Sequence, residues 1–421
     1  MKNNKWLIAL ALSVFVLPAA AEEAEEAGWD VEAPPGDVRE VSIDTTSGTW
    51  MSLDVSPDGS TIAFDLLGDI YTLPIAGGKA TRINSGLSWA WQPRFSPDGS
   101  EIAFTSDAGG GDNIWIMQAD GSEPRQLTHE DFRLLNNPYW SPDGTYIAAR
   151  KHFTTTRSLG TGEIWIYHRN GGSGVAVVEK PTPKHQKELG EPAFSPDGRY
   201  IYFSLDSTPG GTFIYAQDSN KQIYEIRRHD LETGHTESFV TGPGGAVRPT
   251  PSPDGKYLAF VRRIRMQSSL FLKDLESGAE FPIYEDLDRD LQEVWGVHGL
   301  YPNMDWMPDS KSIVFWAGGG IKRIDIDSRE VADIPFHVQD TRAVFDAPRP
   351  TFEVAPAEFE TSMVRNAEVS PDGSRVVYET AGRLYIKNLP DGDARLLTRG
   401  NSGNFELDPT WSRDGRTIAF V

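Results

Sequence analysis

Short hydrophobic runs enter and leave the same polar turn along the whole chain. The turn reads Ser-Pro-Asp-Gly at residues 56–59, 96–99, 141–144, 195–198, 252–255 and 370–373, with degenerate copies at 307–310 and 412–415. Serine first, proline second and glycine fourth favour a type I turn. Because apolar residues lie three positions before and four positions after most of the turn aspartates, each turn predicts a β-hairpin.

Two further runs follow most hairpins before the next turn. A third strand is predicted at pairs such as Ile70-Tyr71 and Ile114-Trp115, and a fourth strand at stretches such as residues 124–128. Four antiparallel strands in a repeat of roughly 40 to 60 residues are typical of one β-propeller blade. We therefore predict an all-β fold, a β-propeller of four-stranded antiparallel blades with seven complete repeats plus a truncated eighth. The turn aspartates that count the repeats are Asp58, Asp98, Asp143, Asp197, Asp254, Asp309, Asp372 and Asp414.

The two ends of the array bear on how the ring closes. Residues 39–43 resemble a fourth strand without a blade, and in propellers such a strand commonly completes the last blade. The eighth repeat reaches only its second strand, at residues 418–421. We expect a propeller over residues 38–421 that is incomplete at its C-terminal end, with seven or eight blades in the full ring.

The first 37 residues are predicted to be an export signal and a leader. Lys2 and Lys5 precede an apolar run from Trp6 to Leu17 and an alanine stretch at 19–21, which predicts a secretory signal peptide over residues 1–21. Residues 22–37 begin acidic and alanine-rich, which predicts a flexible leader. We expect export to a bacterial periplasm or exterior, with no membrane span in the mature chain.

Charge and cysteine content narrow the partners and the means of stabilisation. The formal net charge is −21, so the surface repels phosphate backbones and no nucleic-acid partner is expected. The chain has no cysteine, so an exported fold must be stabilised by packing rather than by disulfides.

The sequence predicts no catalytic residue and no metal ligand within this chain. It lacks the His-x-His and His-Glu-x-x-His patterns of zinc sites and the Gly-x-Ser-x-Gly turn of serine hydrolases. Residues 286–290 alternate like the start of a calcium loop. They lack its glycine and its final glutamate, since Leu291 and Val297 stand there, so we expect a solvated acidic loop.

A polar residue stands six positions before every turn aspartate, at the expected start of each innermost strand. Innermost strands line the channel of a propeller, so we expect a polar ring at the channel mouth. Either these groups cap local backbone and hydrate the channel, or the ring contacts substrate or a following domain. The ring residues are Ser52, Gln92, Asn137, Glu191, Arg248, Asn303, Asn366 and Asp408.

The turns, the Ile-Ala-Phe strands and the Ile-Trp pairs together resemble TolB-like, tricorn-type propeller repeats. Some stretches are also similar to exported bacterial proteins with an N-terminal propeller and a C-terminal amidohydrolase domain. These stretches are residues 48–55, 64–71, 110–115, 150–153, 244–250 and 334–338.

The resemblance implies the propeller of a metal-dependent hydrolase acting on C–N bonds, which shields or gates the catalytic domain or controls substrate access. It implies no cofactor in this chain and a divalent metal, expected to be zinc, on histidine and aspartate ligands beyond Val421. The implied partners are that C-terminal catalytic domain and a peptide or small-molecule substrate.

Two other interpretations stay open. The chain could belong to a stand-alone periplasmic TolB-like interaction module, or to the propeller of a prolyl-oligopeptidase-like serine peptidase. A downstream His-x-His strand would favour the amidohydrolase, and a Gly-x-Ser-x-Gly turn would favour the peptidase. A stop codon after one more hairpin would favour the stand-alone module.

Overall fold

A computed structural model describes residues 30–34, 36–131, 134–154, 160–346, 352–399 and 403–421. The predicted signal peptide, residues 1–21, and the first part of the predicted leader lie outside the described residues. Further along the leader, the Glu32 carboxylate accepts the backbone N–H groups of Leu87 (2.7 Å) and Ser88 (3.0 Å). Within the described ranges, no helix has the length and apolar character that crossing a bilayer requires.

The regular secondary structure of the described residues consists of β-strands. A first strand, β1 (Val38–Thr45), precedes the blades. Blade 1 contains β2 (Leu53–Val55), β3 (Thr61–Leu66), β4 (Asp69–Pro74) and β6 (Thr81–Arg82), and the short strand β5 (Gly78–Lys79) lies between β4 and β6 in the chain. Blade 2 contains β7 (Ala90–Phe95), β8 (Glu101–Ser106), β9 (Asn113–Gln118) and β10 (Arg125–Gln126). Blade 3 contains β11 (Leu135–Trp140), β12 (Tyr146–Thr154), β13 (Gly160–His168) and β14 (Val175–Val178).

Blades 4 to 6 follow, and the remaining strands come after them. Blade 4 contains β15 (Leu189–Phe194), β16 (Tyr200–Asp206), β17 (Tyr224–Asp230) and β18 (Thr236–Val240). Blade 5 contains β19 (Val247–Pro251), β20 (Tyr257–Ile264), β21 (Gln267–Asp274) and β22 (Glu280–Leu287). Blade 6 contains β23 (Asp305–Trp306), β24 (Ser312–Ala317), β25 (Gly320–Asp325) and β26 (Val331–Ile334). The last strands are β27 (Phe336–Phe345), β28 (Arg365–Val369), β29 (Arg375–Thr380), β30 (Arg383–Asn388), β31 (Arg395–Leu396), β32 (Thr410–Trp411) and β33 (Ile418–Ala419).

The predicted fold class is confirmed. Among the described residues, seven sheets each contain four antiparallel strands in chain order, with β5 set aside from the sheet of blade 1. The eighth repeat is the two-stranded sheet of β32 and β33.

The repeated serine and aspartate fix each turn by bonding to each other and to the backbone. In the first repeat the Ser56 hydroxyl donates to Asp58 Oδ1 (2.6 Å), which also accepts the Ser60 N–H (2.9 Å). These hydrogen bonds hold the pKa of Asp58 at about 2, well below its usual range. Gly59 has a φ of 72°, a left-handed conformation that glycine adopts without steric penalty. The serine-to-aspartate bond recurs at Ser96–Asp98, Ser141–Asp143, Ser195–Asp197, Ser252–Asp254, Ser370–Asp372 and Ser412–Asp414.

Two buried tryptophans three positions before a turn aspartate join neighbouring blades. Trp140 Nε1 donates to the carbonyl of Arg94 (3.0 Å), and Trp306 Nε1 donates to that of Thr250 (2.9 Å). Each carbonyl lies on the innermost strand of the preceding blade, so the indole fills the space between blades and satisfies a buried acceptor there.

The chain divides into two compact units, Met1–Ala347 and Pro348–Val421, and each is described by itself. In the first unit the innermost strands contact one another in sequence from β2 to β23, and β23 contacts β2. At this junction the Val55 N–H donates to Asp305 Oδ2 (3.1 Å), and the Leu53 N–H donates to the Asn303 carbonyl (3.2 Å). The ring of the first unit therefore closes with six blades, whereas the repeat count left seven or eight.

A ribbon of two strands ties the start of the first unit to its end. β1 pairs antiparallel with β27 over eight residue pairs, from Val38 opposite Phe345 to Thr45 opposite Val338. β27 also pairs in parallel with β5, beside blade 1. The expectation that residues 39–43 complete a last blade is wrong within this unit, because blade 6 already has four strands of its own.

The second unit contains the seventh four-stranded sheet, β28 to β31, and the hairpin of β32 and β33. Trp411 Nε1 donates to the Glu368 carbonyl (3.1 Å), and the Trp411 N–H donates to Glu368 Oε2 (3.0 Å). The tryptophan bond between repeats therefore recurs in this unit.

Because the six-bladed ring closes within the first unit, we expect a chain that ends at Ala347 to unfold cooperatively without residues 348–421. A chain that ends at Leu287 is the control, since it lacks blade 6 and leaves the innermost strands of blades 5 and 1 without the neighbour that closes the ring. Urea unfolding followed by tryptophan fluorescence and by far-ultraviolet circular dichroism measures both. Non-coincident or gradual transitions for the longer chain would contradict closure by six blades.

Candidate functional site: a channel closed at one end

Six of the eight predicted ring residues lie in the first unit, and all six are buried there: Ser52, Gln92, Asn137, Glu191, Arg248 and Asn303. Several contact one another directly, such as Gln92 with Asn137 and Arg248 with Glu191. Asn366 and Asp408 belong to the second unit, where both are exposed and Asn366 donates to Glu379 (2.9 Å). The functional role of the ring stays a prediction.

Most ring residues interrupt the innermost strand with a left-handed backbone conformation. The φ angles of Gln92, Asn137, Glu191 and Arg248 lie between 55° and 58°, and the pairing register shifts at each of them. A bulge of this kind turns the N–H away from the neighbouring strand. In a buried channel wall that N–H needs another acceptor.

The acceptor comes from the adjacent blade. Asp65 Oδ2 accepts the Gln92 N–H (2.8 Å), and Gln92 Oε1 accepts the Asn137 N–H (2.8 Å). Glu191 Oε2 likewise accepts the Arg248 N–H (2.7 Å). Polar side chains, two of them at ring positions, thus join one blade to the next.

A buried ion pair lies at the centre of this end of the channel. Arg248 Nη2 lies 2.9 Å from Glu191 Oε1, and Arg248 Nη1 donates to the side-chain oxygens of Asn303 (2.6 Å) and Asn137 (3.1 Å). Burial lowers the pKa of Arg248 to about 10, although the Glu191 carboxylate opposes this effect. The guanidinium therefore depends on these acceptors to compensate for the water it has lost.

A loop between β22 and β23 crosses the ring and closes this end of the channel. We call residues 297–301 the plug loop. Asn136 Nδ2 and Gln92 Nε2 donate to the carbonyls of Val297 (3.1 Å) and His298 (2.5 Å). The Leu300 N–H donates to Glu191 Oε1 (2.6 Å).

Two further residues of the plug loop, Gly299 and Tyr301, lie against Arg248 of the same ion pair. Arg248 Nε donates to the Tyr301 carbonyl (2.8 Å). Gly299 has a φ of 114°, and a Cβ at this position would lie 2.2 Å from Arg248 Nη2, so only glycine fits there. No periodicity of the sequence indicated this loop.

The segment leading to the plug loop is anchored by charges that the sequence interpretation missed. Asp290 was expected in a solvated acidic loop. Instead its carboxylate is buried and receives Arg263 Nη2 (2.6 Å) and the Ser268 hydroxyl (2.7 Å). Arg263 Nη1 also reaches Glu293 Oε1 (2.8 Å), so the ion pairs fix the entry to the plug loop.

The opposite end of the channel, where the turns converge, holds a cavity of about 250 Å³. All six blades contribute to it. Arg94 Nη1 donates to Asp54 Oδ1 (2.7 Å), and the guanidinium lies over the Tyr139 ring (5.0 Å). Asp305 lines the same cavity and accepts the Val55 N–H.

Two carboxyl groups share this single guanidinium. Burial raises the pKa of Asp54, against the effect of Arg94. Burial and the neighbouring Asp54 together raise the pKa of Asp305 well above its usual range. Within the described ranges, no three His, Asp or Glu side chains converge as metal ligands.

The chain is similar in sequence to known propeller proteins and to an uncharacterized protein. Residues 51–161 match the family described as the Tricorn protease N-terminal beta propeller domain. The Tol-Pal system protein TolB of Francisella tularensis is 31% identical over 217 residues, which cover 51% of this chain and 45% of that protein. An uncharacterized protein of Agrobacterium fabrum is 28% identical over 238 residues, which cover 54% of this chain and 75% of the relative.

Two further comparisons bear on length and fold. The chain spans only 29% of an uncharacterized peptidase, YuxL of Bacillus subtilis, with 28% identity over 196 residues that cover 36% of this chain. The crystal structure of TolB from Acinetobacter baumannii superposes with a TM-score of 0.51 at 17% identity, covering 69% of this chain and 64% of that one. This likeness supports the same fold.

Replacement of Arg248 by methionine should lower the free energy of unfolding by about 3–5 kcal/mol, because the buried Glu191 carboxylate would lose the cation that balances its charge. It should also speed hydrogen exchange at the plug-loop amides. Arg199→Met is the control, since Arg199 pairs with Asp230 on the surface (2.8 Å) and should cost less than about 1 kcal/mol. Unchanged exchange at Leu300 in Arg248→Met would contradict the role of the ion pair.

Asp305→Asn should flatten the pH dependence of stability. The folded-state pKa values of Asp54 and Asp305 are raised, so their contribution is fully present below about pH 4 and is lost as the pH rises through the folded values. Urea unfolding between pH 4 and 8 should show a smaller loss in the variant than in the parent. Parallel profiles would mean that Asp305 is ionised throughout this range.

Proposed function

We propose that this TolB-like, tricorn-type β-propeller is a non-catalytic binding module of an exported protein, and that its ligand enters the open end of the channel. The observation that carries this proposal is the plug loop, because it bonds to the ring from several blades and leaves one open mouth. The channel is then a pocket with a floor, rather than a passage through the ring.

The energetics of the plug loop favour a pocket over a passage. Opening the closed end would break the bonds from Gln92 and Arg248 to loop carbonyls and the bond from Leu300 to Glu191. It would also leave the ion pair of Glu191 and Arg248 with fewer hydrogen bonds, and a buried ion pair relies on such bonds to offset its loss of water. A substrate that merely passes through provides no compensation for these losses.

The open mouth has the chemistry of a peptide-sized binding site. Its rim contains prolines that each come from a repeated turn, which fixes their backbone before any ligand binds. Below the rim, aromatic rings lead down to the carboxyl groups of Asp54 and Asp305 and to Arg94. An apolar wall with a few charged groups at the base is the usual composition of a ligand pocket. The rim and wall residues are Pro57, Pro97, Pro142, Pro196, Pro253, Phe95, Tyr139, Trp140 and Phe194.

The catalytic partner that we propose is a metal-dependent amidohydrolase domain on the same polypeptide. Support comes from the stretches similar to exported propeller–amidohydrolase proteins, such as residues 110–115 and 244–250. A divalent metal, expected to be zinc, would supply an activated water for attack on a C–N bond. In this setting the closed channel end would shield that domain, and the open mouth would bind a peptide or a small-molecule substrate.

Two further functions retain support from particular comparisons. Similarity to TolB of Francisella tularensis supports a stand-alone interaction module, whose periplasmic location would agree with the predicted signal peptide. Similarity to the peptidase YuxL supports a propeller attached to a serine peptidase. The downstream reading frame separates them. A His-x-His strand supports the amidohydrolase, a Gly-x-Ser-x-Gly turn supports the peptidase, and an early stop codon supports the module.

Pro196→Trp should block ligand entry, because the indole would project from an exposed turn at the rim of the open mouth. Peptides selected from a displayed library against residues 22–421 should bind this variant at least tenfold more weakly than the parent. Pro371→Trp is the matched control, since it changes the same turn position in the second unit. Peptides that bind all three proteins equally, or a failure to select any, would refute binding at the open mouth.

A further inference from the structure

A second concave site lies on the closed face of the ring, apart from the open mouth. It has a volume of about 380 Å³ and lies between the β3–β4 turn, the connection from blade 1 to blade 2, and the plug loop. We call it the tryptophan cleft. It is lined by Trp50, Trp89, Trp91, Leu67, Asp65 and His298.

Each of the three indoles is held in place by a specific contact. Trp89 is 55% exposed and lies against Gly68, where a Cβ would come within 2.7 Å of the indole. Trp91 meets the His298 ring edge-on, with centroids 5.5 Å apart. Trp50 packs against Tyr301 at 5.8 Å. The aromatic walls are therefore arranged before any ligand arrives.

Trp50 also carries backbone strain. Its φ of 60° is a left-handed conformation that bulky residues rarely adopt. Unlike Gln92 and the other left-handed residues of the innermost strands, Trp50 does not occupy the ring position, so the geometry of the repeat does not require this strain. Strain of this kind concentrates at ligand sites.

The lining of the cleft includes a buried carboxyl group that has no cation beside it. Asp65 accepts the backbone N–H groups of Ser52 (2.9 Å) and Gln92 (2.8 Å). Among the residues that the structure describes, no Lys, Arg or His forms an ion pair with it. Two basic side chains beside the cleft bond to other carboxylates, since His298 contacts Asp112 (2.8 Å) and Arg342 contacts Asp69 (2.5 Å). The Arg342 guanidinium also lies 5.9 Å from the centre of the Trp89 ring.

The hydrogen-bonding capacity of the cleft argues against a neutral polyhydroxylated ligand such as a sugar. The Gln92 amide is already used, because Nε2 donates to Asn137 and His298 while Oε1 accepts from Thr105 and Asn137. Ser52 Oγ already accepts the Asn303 N–H. A ligand with many hydroxyl groups would therefore find few free partners.

We propose that the tryptophan cleft binds an organic cation of the alkylammonium class. The faces of aromatic rings attract such cations electrostatically, and tryptophan does so most strongly. The Asp65 carboxylate supplies a negative charge beside these rings, and among the described residues no cation forms an ion pair with it. The site is separate from the open mouth, so its ligand is independent of the function proposed above.

Protonation of Asp65 provides a second signature of binding. Burial raises the pKa of Asp65 to about 7, although its two backbone hydrogen bonds act in the opposite direction. A bound cation would favour the ionised form, so binding near pH 7 should release a fraction of a proton. Calorimetry in buffers with different heats of ionisation measures this release.

The test uses residues 22–421 and three probes: choline, a short peptide bearing trimethyllysine, and 3,3-dimethylbutanol, the uncharged isostere of choline. At least one cationic probe should bind tenfold or more tightly than the isostere, with proton release at pH 7. Choline binding would identify a small-molecule cation, and binding of the peptide alone would identify a modified lysine side chain. Equal binding of choline and the isostere, or no binding of either cationic probe, would overturn the proposal.

Variants locate the site. Trp89→Ala should weaken cation binding at least fivefold, and because the side chain is exposed the fold should persist. Tyr215→Ala is the matched control, since it removes another exposed aromatic ring, on blade 4, and should leave binding unchanged. Asp65→Asn should abolish proton release. Unchanged affinity in Trp89→Ala would place any binding elsewhere.

Discussion

The closed face of the first unit depends on one constraint, which is that buried backbone N–H groups need acceptors. Each left-handed ring residue points its backbone N–H away from the neighbouring strand of its own blade. That N–H then lies in the buried channel wall, where another group must accept it. These residues are buried, and an unpaired buried N–H would cost a few kcal/mol. In three cases a side chain of the preceding blade supplies the acceptor: Asp65 for Gln92, Gln92 for Asn137, and Glu191 for Arg248. The blades are thus joined by polar bonds as well as by apolar packing.

The same constraint accounts for two of the ring side chains, because Gln92 and Glu191 each accept the N–H of the next left-handed ring residue. It does not account for Arg248, whose guanidinium can only donate. Ser52 Oγ reaches the Asn303 N–H across the junction that closes the ring (3.2 Å). Once Glu191 is buried as an acceptor, its charge must be balanced, and Arg248 provides that balance while it also bonds to the plug loop.

The turns and the strands beside them were predictable from the sequence, because residues close together in the chain determine them. A serine, an aspartate and a glycine within four positions fix most of the turns. A count from the aspartate picked out six polar residues that are buried in the first unit, and their functional role stays a prediction. Closure was not predictable in this way. It depends on Val55 bonding to Asp305 and on β1 pairing with β27, across 250 or more positions. The plug loop was missed because Gly299 and its neighbours follow no period. Asp290 was misread because its partner Arg263 lies 27 positions earlier, on β20.

The two ends of the channel differ in what covers them. At the closed end, Glu191, Arg248, Asn137 and Gln92 bond to one another and to the plug loop, so a ligand there would have to displace existing partners. Each end keeps one buried donor without a hydrogen-bond partner within the described structure, Asn303 Nδ2 in the ring and Arg94 Nε at the open end. Arg94 lines the cavity of the open mouth together with Asp54 and Asp305, whereas the plug loop lies across the ring. A ligand can reach fixed polar groups more readily in a concave site than under a bonded loop, which favours the open mouth as the binding site that we propose.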